Sequence, residues 1–372
     1  MEIPVDVQRY VERLQVHAIR ERGFAPDPER YGYASGVVFA DLCADAPRGD
    51  ARVAADLEAT RRLMVQLGPF QNPSYLYALV AHNREVLETA RDMGTADDTW
   101  VPFASTTLGH HNAETRRLPS NAYVTVYDDG VFTLAELMGC QISYAWDAIM
   151  TVLDRFDSVA SAAGHVFAPG SAILASIVET LASYAATQDA RTAIPRIPEE
   201  FLVRDGFAGN IRSSYLRYVV AHELGHVYLR HLERAAMERT SGDADALSFD
   251  WSCEFDADTF AATVSIEFLM PKTSGFLACL MAEMAPMIGV LVDFARDYLE
   301  HGGIPLRPDN VGTHPPADRR LLNARQAIDS RIASAHPDVD VEQVHLAHGW
   351  IELMAWSVLP PLRDECLARR AR

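Results

Sequence analysis

The sequence predicts a mainly α protein with one small β-sheet. Apolar residues recur at helical spacing, punctuated by Gly and Pro, through most of the 372 residues. β-rich texture is confined to one interval, from Trp100 to Leu134.

In chain order, residues 4–22 read as an amphipathic helix ending at Gly23, and the Pro, Gly and Tyr of 24–48 read as irregular. Helices at about 50–67 and 73–93 follow, closed by Gly68-Pro69 and by Gly94. The segment WVPFASTTL has strand character, with a polar loop from His110 to Pro119 behind it. Tyr123–Tyr127 and Val131–Leu134 read as β-rich, with Asp129-Gly130 as a hairpin turn between them. Helices at about 135–155 and 170–188 and a Pro-containing link (Ile194 to Pro198) lead to a long helix at 210–233. The polar stretch 234–248 reads as a surface loop, and Ser248 or Asp250 as the cap of the next helix, which stops at Pro271. A buried helix at 274–299, a Gly/Pro-rich loop, and helices at 316–334 and 340–357 complete the chain. The organisation expected is an N-terminal helical region of unassigned role (1–99), a domain at 100–335, and a C-terminal helix (336–372) packed on it.

The helix at 210–233 carries His222, Glu223 and His226 in the order H-E-x-x-H. Residues i and i+4 share a helix face, so both imidazoles can grip one ion, and Glu223 can lean over it as a general base. A catalytic zinc takes three protein ligands and keeps one position open. A third His at 232, with Gly at 229, would mark one subclass, but both positions are Leu, and His231 falls on a different helix face. The remaining option is Glu254, 28 residues after His226, followed at i+4 by Asp258. Glu254 would complete a His2Glu set, and Asp258 would accept the ring N–H of a ligand histidine, His222 first. One Zn2+ per chain is expected. His345 and His348 have no further ligands nearby in sequence and read as surface or packing residues.

Composition narrows the partners. A formal net charge of -18 argues against nucleic acid and anionic membrane surfaces. Five scattered cysteines with no C-x-x-C pair suit a reducing compartment, and no apolar leader opens the chain. The most apolar run, Phe276 to Val292, is broken by Glu283 and Pro286, so a core helix is expected rather than stable membrane insertion. The expectation is a cytoplasmic protein; nothing in the chain indicates its oligomeric state.

Four pieces stand in order: Asn121-Ala122-Tyr123, His222 to His226, Glu254 to Asp258 with Ala257, and His314-Pro315. Together they resemble the metallopeptidases typified by the CAAX prenyl proteases and the bacterial HtpX quality-control protease, over about 120–325. The resemblance implies a zincin-like fold of the gluzincin type and hydrolysis of peptide bonds by a zinc-activated water with Glu223 as base. It implies further that Asn121 and Tyr123 hold substrate backbone from an edge strand, and that His314 stabilises the oxyanion. The best-known members are integral membrane proteins, whereas this chain shows no clean span. A protein or peptide substrate is the first expectation. A zinc hydrolase acting on another amide, or a non-catalytic binding module on the same fold, are the alternatives.

Overall fold

The computed structural model describes residues 2–47, 49–97, 99–106, 112–202, 206–235, 246–303 and 315–372. Four helices come first: α1 (Val5–Glu21), α2 (Pro28–Asp45), α3 (Ala51–Leu67) and α4 (Pro73–Asp92). The second corrects the irregular reading of 24–48. Asp27 caps it by accepting the N–H groups of Glu29 and Arg30, and Pro28 takes the first helical position. The start signal was Asp-Pro-Glu, masked by the Gly and Tyr that follow.

The sheet contains β1 (Phe103–Thr106), β2 (Ala113–Arg117) and β3 (Tyr123–Asp128) in the order β1-β3-β2. The central strand runs parallel to β1 and antiparallel to β2, with Thr115 opposite Thr125. Strand β2 therefore takes up half of the expected polar loop. Its hairpin with β3 turns through Asn121, which takes the left-handed φ of 66° that Asn tolerates better than most residues. Asp129-Gly130 is not a hairpin turn; it opens α5 (Asp129–Val152). Val131, Phe132, Leu134, Ala135, Leu137 and Met138 are all buried, and this helical stripe outweighs their local β preference.

Next come α6 (Val159–Val166), α7 (Ala172–Thr187), two short 3-10 segments and α8 (Gly206–Tyr228). Helix α8 ends earlier than expected. The chain leaves the helix in a turn at Leu229 and Arg230, the latter with φ 55°, before residues 231–235 become helical again. Helix α9 (Ala246–Leu269) begins before Ser248 and Asp250, so neither caps it; residues 236–245 of the expected loop lie outside the described residues. Then follow α10 (Gly275–His301), α11 (Ala317–Ala335) and α12 (Val341–Arg370). Helix α12 continues through Pro360 and Pro361, past its expected end at 357. Each interior proline costs about 3 kcal/mol. Full burial of Val358 and Leu362 at about 1.5–3 kcal/mol each offsets much of this, and Arg369 is clasped by Glu179 and Glu365.

Helix α8 packs on α4, α5, α9, α10 and β2. One apolar core runs from Ile3 to Cys366, continuous across residues 99/100 and 335/336. Two glycines set how near the neighbours of α8 approach. A Cβ on Gly139 would meet the Ala208 carbonyl oxygen at 3.0 Å, and one on Gly225 would meet Ala257 Cα at 3.2 Å. Among the described residues, α10 is the helix long and apolar enough to cross a membrane, and 72% of its apolar window is buried inside the fold.

Candidate metal centre

His222 and His226 stand one turn apart on α8, facing α9, with their Nε2 atoms 3.2 Å apart. Glu254 comes from α9. Its Oε2 lies 3.5 Å from His222 Nε2 and its Oε1 lies 3.5 Å from His226 Nε2. The absent side chain at Gly225 lets α9 come this close. The three residues form a group that could hold a metal ion.

Asp258, one turn beyond Glu254, is 1% exposed. Its Oδ1 accepts from His222 Nδ1 at 3.0 Å and from the Tyr218 hydroxyl at 3.2 Å. Arg320 of α11 grips both carboxylate oxygens, Nε to Oδ2 at 2.7 Å and Nη2 to Oδ1 at 2.8 Å, and lies 3.8 Å from Glu254. Burial pushes the Asp258 carboxyl up, but Arg320 and His222 hold it at about 2. Burial pushes His222 down, yet its hydrogen bonds to Asp258 and Glu254 carry it to about 10. His226 falls to about 3 through burial and the charge of His222.

Glu223 is buried and turned toward the sheet. Thr115 Oγ1 of β2 donates to its Oε2 at 2.8 Å, and Thr115 is joined to Thr125 of β3 at 2.9 Å. Tyr127 lies two residues on, on the same face of β3 as Thr125. Its buried hydroxyl has no hydrogen-bond partner among the described residues. Burial, then the charge of Glu223, raises that phenol well above its usual range.

His231 does not sit on a remote face. The break at Arg230 swings it beneath His226, Nδ1 to Nδ1 at 2.9 Å. Tyr123, by contrast, begins the central strand, not an edge, and Asn121 lies in the turn before it. Tyr123 pairs with Arg117, and Asn121 is exposed at the hairpin turn. Two strand steps, about 7 Å, separate Tyr123 from Thr125. His314 lies outside the described residues. His348 is buried, bridging Glu283 of α10 and Asp329 of α11 through opposite ring nitrogens.

Thr115, Arg320 and His231 were not found from sequence as parts of this group. Thr115 carries no motif signal. For Arg320 a signal existed: a buried Asp demands a cation, and Arg319-Arg320 follow the Pro315-Pro316 pair closely. Comparison with family models, curated proteins and solved structures returns no match for this chain.

Proposed function

We propose that this protein is a zinc-dependent endopeptidase with a zincin-like fold of the gluzincin type, similar in its motif set to the CAAX prenyl protease and HtpX metallopeptidases. One observation carries the proposal. A tetrahedral ion with bonds of about 2.0–2.1 Å needs its ligand atoms about 3.3–3.4 Å apart. The Nε2 atoms of His222 and His226 stand 3.2 Å apart, each lies 3.5 Å from one oxygen of Glu254 (Oε2 and Oε1 respectively), and one ligand atom from each residue lies within 4.8 Å of the others. Two imidazoles and one carboxylate suit zinc in a hydrolytic site.

Zinc held here supplies Lewis acidity toward the scissile carbonyl. The chain's own residues do the rest. Asp258 holds the proton of His222 on Nδ1, so that Nε2 presents its lone pair to the ion. Arg320 keeps Asp258 charged for that task. Glu223 takes the proton of the attacking water and passes it to the leaving amine, its carboxylate oriented by Thr115. The substrate would be a protein or peptide, and the compartment a reducing one such as the cytoplasm, in keeping with five free cysteines.

Metal-loaded protein incubated with a proteome tests the proposal, with new N-termini read by mass spectrometry. Termini produced by the wild type and absent with Glu223→Gln are the expected result. A protein that binds zinc but generates no termini would overturn the peptidase assignment.

A further inference from the structure

We infer that His231 is a positioning residue for the metal site: it fixes the ring orientation and tautomer of His226 by accepting the Nδ1 proton of that ring. The inference rests on the metal site proposed above and adds to it a partner for the second histidine.

His226 directs Nε2 toward His222 and Glu254, at 3.2 and 3.5 Å. A ring that offers its Nε2 lone pair to an ion carries its proton on Nδ1. That proton needs an acceptor, because an orphaned buried donor costs about 1–3 kcal/mol. The atom 2.9 Å away is Nδ1 of His231. The two rings meet edge to face, 75° apart. His231 is 2% exposed; its Nε2 has no hydrogen-bond partner among the described residues, with Asp256 Oδ2 at ion-pair range, 3.9 Å. A neutral imidazole has one N–H, so with the His226 proton on Nδ1 facing it, His231 carries its own proton on Nε2 and accepts at Nδ1.

The backbone is built for this contact. Five residues on a continuous helix turn through about 500°, which would carry His231 roughly 140° around from His226. The chain instead breaks after Tyr228 and takes φ 55° at Arg230, a left-handed conformation that is costly for a non-glycine residue. His222 is served by a charged carboxylate on another helix, whereas His226 is served by a neutral ring from its own chain segment.

The experiment is a zinc competition titration against a chelator for wild type, His231→Phe and His231→Asn, with thermal unfolding run beside it. Phe keeps the ring and removes the acceptor; Asn restores an acceptor oxygen close to the Nδ1 position. Zinc affinity should fall about 10–100-fold in His231→Phe, at an unchanged melting temperature in chelator, and most of it should return in His231→Asn. Zinc affinity of His231→Phe equal to wild type overturns the inference and leaves the metal site standing. A wild type that binds no zinc overturns both. If the Phe variant fails to fold, 15N NMR of the histidine rings in zinc-loaded wild type decides. Zinc on Nε2 of His226 with an exchange-protected Nδ1 proton is the expected spectrum, and a proton on Nδ1 of His231 refutes it.

Discussion

Replacing Arg320 with Met should destabilise the protein by about 3 kcal/mol, although the residue lies on a helix that sequence reading left without a role. Asp258 is 1% exposed and both its oxygens are occupied by the guanidinium. Its carboxyl is held near 2 against an ordinary 3.8. A displacement of nearly two units corresponds to about 2.5 kcal/mol favouring the charged form, to which His222 contributes a share. Removing one partner of a buried pair costs about 3–5 kcal/mol, because the other charge stays buried. The Arg320 side chain keeps 27% exposure, which favours the lower end. At an unfolding entropy of about 2.1 cal/mol/K per residue, 372 residues give roughly 0.8 kcal/mol/K, so the loss equals about 4 °C. Calorimetry in chelator isolates this from any metal effect. Adding Asp258→Asn to Arg320→Met should return part of the stability, since the uncompensated charge is then gone. A melting temperature for Arg320→Met within about 1 °C of wild type would refute the reasoning.

Glu223→Gln should retain zinc while turnover drops by about 10²–10⁴-fold, the usual reach of a positioned base, as measured by the yield of new N-termini. Gly225→Ala places a methyl 3.2 Å from Ala257 Cα. A gain of about 1 kcal/mol in helix propensity should offset between a third and all of the overpacking at about 1–3 kcal/mol, so melting should fall by at most about 2–3 °C while the displaced Glu254 weakens zinc in a chelator titration. Glu85 lies 2.9 Å from Arg217 and 3.2 Å from His82, which hold its carboxyl at about 2 against the opposing effect of burial. A depressed carboxyl stabilises the fold above its unfolded value of 4.5, and that contribution is lost as pH falls from 4.5 toward 2. Urea midpoints of Glu85→Gln should therefore lie below wild type at neutral pH and converge with it below pH 4.5.

The fold class and most of the helices were legible because helical periodicity and end signals are local. Gly23, Gly68 and Pro271 each stop a helix where the residue type says it should. The misreadings came where tertiary packing overrides local preference. Residues 131–134 have β-prone side chains yet bury a helical stripe, and Pro360-Pro361 sit inside a helix held by core contacts on both sides. At the site, His222, His226, Glu254 and Asp258 come together on the two helix faces that their i, i+4 spacings define. Thr115 and Arg320 reach the same place from 108 and 62 residues away from their carboxylate partners, a distance at which spacing carries no information. His231 was excluded by a helical wheel, and the wheel fails because the helix does.

The two rings of the candidate metal group are held by opposite means. Burial pushes His222 down, but the carboxylates of Asp258 and Glu254 favour its protonated form and carry it to about 10. His226, buried beside that charge, stays neutral. Had both rings been served by carboxylates, two imidazolium charges would sit with nitrogens 3.2 Å apart, a repulsion that few neighbouring groups could absorb. A neutral partner for one ring and a charged partner for the other keeps a single positive charge in the pocket, close to the carboxylate of Glu254. On the reading proposed above, an ion held by His222, His226 and Glu254 would take the place of one proton on His222. The arrangement ties Asp258 and Arg320 to the placement of the His222 ring. It also explains why a residue as far along the chain as 320 is tied by two short hydrogen bonds to a carboxylate that touches no ion itself.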